Sequence, residues 1–185
     1  MMRGQDARLP QLVQDVLSDA NVSLNHVDRF AVVTGPGSFT GIRVGVAFAR
    51  GLALAMGKPC IGVTSMEAAL PAGQQGSAIV ALAAQKRAPD ITFWTQTFRT
   101  GSATAPASEM AVEDLINLLR DRPHMVYGDT EALEAHLPDT TIYTIAPNAV
   151  RAGQLAAILD PENRTARPTY VRAPDAALPK AKPGK

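Results

Sequence analysis

Cysteine is almost missing from this chain. Cys60 stands alone in 185 residues, which excludes an internal disulfide and fits a reducing compartment. Histidine is scarce too. His26, His124 and His136 fall at none of the spacings that put two ring nitrogens on one helix face, so no metal site is expected. Aromatic residues make up 5% of the chain, thin for stacking on single-stranded nucleic acid. A net charge of +1 removes any strong electrostatic case for nucleic acid or a membrane surface. No apolar run approaches the roughly 20 residues of a membrane span. The opening Met1-Met2-Arg3-Gly4-Gln5-Asp6 lacks the apolar core of a signal peptide. The expectation is a cytoplasmic protein with no membrane among its partners.

What the chain does have is a hydrophobic content of 46%, enough for one large or two small cores. Leu9, Leu12, Val13, Val16 and Leu17 form an apolar helical stripe over residues 7–20, with Pro10 expected in the first turn, where its ring is tolerated. Residues 30–33 read as a short buried strand, residues 40–56 as a helix closed by Gly57 and Pro59, and residues 60–63 as a second strand. Thr64 and Glu67 have the spacing of a capping box at the start of another helix. A Gly/Gln-rich break at 71–77 divides a first half, 1–72, from a second half, 73–175, and leaves 176–185 as a disordered tail. The second half opens with strands at 79–82 and 91–98, expected to pair antiparallel. A helix at 112–120, a strand at 125–127, a helix near 131–136, a strand at 141–145 and a last helix at 149–159 follow. Strands alternating with helices argue for α/β layers.

The most informative stretch is Gly35, Pro36, Gly37, Ser38, Phe39, Thr40 and Gly41, a Gly-rich turn between a strand and a helix, with Arg43 one turn further on. Such a turn places backbone N–H groups and a positive helix end at the mouth of a sheet. It is neither a Walker A sequence nor G-x-G-x-x-G, because no Lys follows and the last glycine gap holds three residues. A phosphate cradle and a plain tight turn both remain open. The helix behind it carries Gly41, Gly45, Ala49, Ala53 and Gly57 at intervals of four. An interior glycine costs a helix about 0.5–1 kcal/mol against alanine, so this small-residue ridge calls for close approach of another helix. That helix belongs either to this chain or to a partner. Arg43 and Arg50 interrupt the ridge helix and speak against a membrane role. Cys60 reads as a buried filler, and Ser38 and Thr40 lack a base placed by sequence. Glu109, Glu113 and Asp114 read as a solvated helix start, and Lys180, Lys182 and Lys185 as a solubilising end.

Gly35-Pro36-Gly37-Ser38-Phe39-Thr40-Gly41-Ile42-Arg43-Val44-Gly45, continued by Ala49-Arg50-Gly51-Leu52-Ala53 and by Gly62-Val63-Thr64-Ser65-Met66-Glu67-Ala68, resembles the TsaB (YeaZ) family. The helix upstream, residues 4–17, and Pro168-Thr169-Tyr170-Val171-Arg172-Ala173-Pro174-Asp175-Ala176 resemble it as well. The resemblance implies an actin/Hsp70-like (ASKHA, ribonuclease H-like) duplicated α/β fold whose first half is truncated at its N-terminus. It implies a non-catalytic subunit that dimerises with a TsaD-like catalytic subunit. With a TsaE-like ATPase, that complex transfers a threonylcarbamoyl group from its adenylate to an adenosine beside the tRNA anticodon. TsaD itself is similar to metal-binding proteins with a His-x-x-x-His pair, which this chain lacks. No catalytic residue, metal or cofactor is then expected here; ATP and metal belong to the partner subunits, and tRNA is reached through the complex. Carried onto this chain, the family's docking helices place Leu9, Leu12, Val13, Val16, Gly41, Gly45, Ala49 and Ala53 at the partner interface. Two departures stand out. Family members begin with a strand ending in Asp-Thr and a hairpin, whereas Met1 here lies almost at the first helix, so 30–33 is expected to be a sheet edge, and either the start codon lies upstream, the favoured reading, or the fragment is short and unstable. Leu82-Ala83-Ala84-Gln85-Lys86 replaces the family's Leu-Asp-Ala-Arg, which implies a weakened local contact at Ala83. Two other readings remain: a nucleotide-binding ASKHA-type enzyme, kinase- or peptidase-like, using 35–41 for phosphate, and a homodimer built on the same ridge.

Overall fold

The computed structural model describes residues 5–85, 91–122 and 124–171. The expectations for Gly4, for Lys86, for residues 172–176 and for the tail with Lys180, Lys182 and Lys185 lie outside them.

The chain begins with helix α1, Gln5–Asp19. With the helix already formed at Gln5, Pro10 lies beyond the first turn, so the ring removes a hydrogen bond from within the helix. A 3-10 turn at Leu24–His26 leads to strand β1, Phe30–Val33. Helix α2 spans Phe39–Met56. Ser38 caps it, its side chain accepting from the Gly41 N–H, and Gly57 closes it in the left-handed region at φ 61°. Strand β2, Cys60–Val63, pairs parallel with β1 from Phe30 opposite Cys60 to Val33 opposite Val63. Helix α3, Ser65–Ala69, carries the anticipated capping box in full: Thr64 accepts from the Glu67 N–H, and Glu67 accepts from the Thr64 N–H.

The second sheet is built from β3 (Ser77–Gln85), β4 (Thr92–Arg99), β5 (Ser102–Ala103), β6 (Ser108–Ala111), β7 (Met125–Gly128) and β8 (Ile142–Thr144). Its order is β5-β4-β3-β7-β8, with β6 also on β4. β3 and β4 pair antiparallel, as the sequence predicts, while β3–β7 and β7–β8 are parallel. Central β3 is buried on both faces, which is why it reads as a continuous apolar run and not as an alternating one. Helices α4 (Val112–Asp121), α5 (Thr130–Glu134) and α6 (Ala149–Ile158) complete the chain.

Strands β5 and β6 are too short and polar to be seen in the sequence. β6 corrects the reading of Glu109: it lies in a strand opposite Trp94 and accepts a 2.6 Å hydrogen bond from Thr92, while only Glu113 and Asp114 occupy the first turn of α4. Ala83, at the departure from the family pattern, is half-buried opposite Phe93 next to a register shift in the β3–β4 ladder.

The layers follow from the core. One face of the second sheet packs Ile79, Ala81, Phe93 and Val126 against Leu115 of α4 and Leu133 of α5. The other face sets Ala78, Val80, Phe98 and Tyr127 against Met66, Ala69 and Leu70. Helix α6 brings Ala152 to Val63 and Ala68, with Ala31 and Val33 beside them. So α3 and α6 lie between the two sheets, and α2 covers the outer face of β1 and β2. Among the described residues β1 is an edge strand, and its four residues are only half-buried.

Candidate functional site

The Gly-rich turn sits where β1 ends and α2 begins, and its backbone is tied from two sides. The start of α3 holds it from below: the Ser65 N–H donates to the Gly35 carbonyl at 2.8 Å and the Ser65 hydroxyl to the Pro36 carbonyl at 2.7 Å. The Gly35–Pro36 peptide is cis, and Gly35 has φ 102°. No other residue fits there, because a Cβ would lie 2.6 Å from the Ile42 side chain and 3.1 Å from the Thr169 carbonyl oxygen.

Residues 164–170 hold the turn from above. The Thr169 N–H donates to the Thr34 carbonyl at 2.8 Å, and the two threonine hydroxyls meet at 3.2 Å. Arg43 donates from Nε to the Tyr170 hydroxyl at 2.8 Å and lies 3.6 Å above the Phe39 ring, with the Tyr170 ring 5.2 Å from that ring. Of the turn residues singled out in the sequence, Gly35 and Pro36 are buried, Gly37 and Phe39 are half-buried, and Ser38, Thr40 and Arg43 are exposed. Ser38 is engaged as a helix cap.

A polar cluster joins this turn to both sheets. Glu67, 8% exposed, accepts from Arg164 at 2.8 Å as well as from the Thr64 N–H. Thr64 donates to Gln96 of β4 at 3.2 Å, and Gln96 donates onward to the Ala105 carbonyl. Arg164→Met should strand the Glu67 carboxylate. The Arg164 side chain is 34% exposed, so the cost should fall below that of a fully buried pair, about 2 kcal/mol by urea unfolding. In a Glu67→Gln background the loss should shrink; equal losses in both backgrounds would mean the pair is uncoupled. Sequence reading saw Glu67 only as a cap and missed Arg164, Gln96, Thr169 and Tyr170. The one signal for the last two was their position in the Pro168-Thr169-Tyr170 segment.

The small-residue ridge is not a single face. Residues four apart on a helix of 3.6 residues per turn rotate by about 40° per step. Gly41 is accordingly exposed, Gly45 and Ala49 are half-buried, and Ala53, 3% exposed, is in the chain's own core. Ala53 therefore leaves the expected interface. Among the described residues no helix closes on the interior glycines: a Cβ at Gly45 or at Gly51 would meet no heavy atom within 4 Å. Close approach from within the chain thus does not account for them. On α1, Leu9 and Val13 are half-buried, whereas Leu12 and Val16 are 46% and 66% exposed. Leu54 of α2 is 85% exposed.

α2 also corrects the expectation about apolar runs. At 18 residues it is long and apolar enough, by length and composition, to cross a membrane, and only Val46 and Ala53 in it are buried. Its Arg43 and Arg50 are the interruptions noted in the sequence. Cys60 is half-buried; burial pushes its thiol up, with Arg50 pulling more weakly the other way, so the thiolate is disfavoured. No group of three His, Cys, Asp or Glu that could hold a metal occurs among the described residues.

A protein-family model described as "TsaD: tRNA N6-adenosine threonylcarbamoyltransferase" matches residues 2–112. The tRNA threonylcarbamoyladenosine biosynthesis protein TsaB of Escherichia coli (strain K12) is 38% identical over 95 residues, covering 51% of this chain and 41% of that protein. The tRNA N6-adenosine threonylcarbamoyltransferase of Gluconobacter oxydans (strain 621H) is 45% identical over 60 residues, covering 32% of this chain and 16% of that protein. The chain thus spans less than half the length of these two curated relatives. The solved structure of YeaZ from Pseudomonas aeruginosa superposes with a TM-score of 0.60 at 25% identity, covering 92% of this chain and 85% of that one. The two-sheet architecture is accordingly the actin/Hsp70-like α/β fold. The chain belongs to the TsaD family of proteins and, within it, to the TsaB (YeaZ) members.

Proposed function

We propose that this chain is a non-catalytic scaffold subunit in tRNA threonylcarbamoyladenosine biosynthesis. It docks on a TsaD-like catalytic subunit through the outer surfaces of α1 and α2 and holds that subunit in its active form. The observation that carries this reading is the open face of α2. A Cβ at either of two interior glycines, Gly45 and Gly51, would meet nothing within 4 Å among the described residues, and Leu54 of α2 is exposed, as are Leu12 and Val16 of α1. Glycine in a helix interior is destabilising by about 1 kcal/mol against alanine, and exposed apolar side chains give nothing back in an isolated chain. Both features make sense where a second helix pair covers them. The same cover explains why α2 is apolar enough to resemble a membrane span while carrying two arginines.

The reading assigns this chain no cofactor. ATP and metal belong to the TsaD-like subunit and to a TsaE-like ATPase, tRNA is met through the complex, and the complex works in the cytoplasm. A nucleotide enzyme built on the 35–41 turn is less well supported, because the Thr169 backbone and the Tyr170 ring already lie over that turn. Co-expression with the TsaD-like subunit of the same organism, followed by affinity capture and light scattering, tests the proposal. A one-to-one complex is expected. Absence of a complex, with ATP binding by this chain alone in calorimetry, would replace the scaffold by the enzyme. A stable homodimer that refuses the TsaD-like subunit would assign the face to self-association.

A further inference from the structure

One short segment, residues 164–170, touches β2, the end of β1 and the first turns of α2. Thr165 bridges Ile61 of β2, and the Gly62 N–H donates to the Arg164 carbonyl at 2.9 Å. The approach depends on glycine: a Cβ at Gly62 would lie 2.7 Å from the Thr165 carbonyl oxygen. Further along, Thr169 is bound to Thr34 at the end of β1, and Tyr170 reaches Arg43 and Phe39 in the first turns of α2.

Those first turns have little of their own to hold them. The first turn contains no acidic residue to meet the helix dipole. Its cap bond from Gly41 to the Ser38 hydroxyl is long, 3.4 Å, and Gly41 itself is a poor helix former. Tertiary contact must supply the order that local sequence does not, and the contact on this turn comes from Tyr170, 127 residues from Arg43.

We propose that residues 164–170 form an intramolecular latch that sets the first turns of α2 in their docking geometry, with Tyr170 a positioning residue acting through Arg43 and Phe39. The latch closes over the Gly-rich turn, which becomes a socket for the chain's own backbone. The effect on docking rests on the scaffold reading above; the effect on helix order does not.

Hydrogen exchange and partner binding, measured on the full chain, test it. Tyr170 is 44% exposed, so its truncation leaves the core intact. Tyr170→Ala should speed amide exchange over residues 38–45 by about tenfold or more, with β3 and α4 unchanged. It should also raise the dissociation rate from the TsaD-like subunit by a comparable factor. Tyr170→Phe, which keeps the ring and loses the bond to Arg43, should fall between. Gly45→Leu, which blocks the docking face itself, should not speed exchange over 38–45, since leucine favours the helix. Unchanged exchange in Tyr170→Ala overturns the latch. If that variant loosens the turn while the unaltered chain never binds the TsaD-like subunit, the latch stands and the docking reading falls.

Discussion

Replacing Gly45 by leucine should abolish capture of the TsaD-like subunit, a loss of about 100-fold or more in affinity, while leaving the chain itself folded. The two halves of this outcome have separate causes. Within the chain, the first carbon of a new side chain at Gly45 meets no heavy atom within 4 Å, so no backbone has to move. The substitution also replaces the poorest ordinary helix former by a good one, which favours α2 by about 0.5–1 kcal/mol. The isolated variant should therefore melt at the same temperature as the parent or slightly above it. At the docking face the effect reverses. Two helix backbones approach closely only where the side chain between them is absent, and a leucine there holds them apart and strips contact from every neighbouring pair. Affinity capture together with a thermal melt reads both halves. Full binding by Gly45→Leu would remove α2 from the interface, and a collapsed melting curve would show that the site is internal after all.

Gly128→Ala should do the opposite: cost the chain about 3 kcal/mol or more through overpacking, with no interface involved. Gly128 ends β7 opposite Ala81 of β3, the central strand of the second sheet. A Cβ there would run into the Ala81 carbonyl oxygen and lie 2.8 Å from the Leu133 side chain. Neither neighbour can yield cheaply. The Ala81 carbonyl belongs to the ladder on which the sheet is built, and Leu133 is fully buried. The parallel pairing of β3 with β7 must open, and with it the packing of α5. Urea unfolding of the isolated variant should show a midpoint well below that of the parent, or no cooperative transition. A midpoint within about 0.5 kcal/mol of the parent would mean that the sheet accommodates the methyl by a shift this packing does not allow. The two glycines look alike in the sequence, and only their surroundings separate them.

Much of the fold could be read without coordinates because its determinants are local. The capping box of Thr64 and Glu67, the Gly57 stop and the apolar run of β3 each reflect a rule acting within a few residues. The antiparallel β3–β4 pair and the Gly-rich turn between β1 and α2 are of the same kind. Local pattern failed where it carried little signal. β5 and β6 are short and polar, and Glu109 was drawn to the neighbouring helix for lack of any mark of the strand. Pro10 reads as a first-turn residue because the apolar stripe that marks this helix begins only at Leu9, whereas the described helix already runs from Gln5.

The sequence by itself determined most of the elements, their α/β order and the family resemblance, since periodicity, caps and turn residues act over spans shorter than a helix. Tertiary structure alone decided three things. The ridge on α2 turns from surface at Gly41 to core at Ala53, because a four-residue repeat drifts around a 3.6-residue helix. Among the described residues, nothing packs where a Cβ on Gly45 or Gly51 would stand. Thr169 and Tyr170 close over a turn more than 120 residues away, with Tyr170 and Arg43 separated by 127 residues. Each depends on which distant segment comes to lie alongside, and that is set by the packing of the two sheets around α3 and α6, which no stretch of local sequence contains.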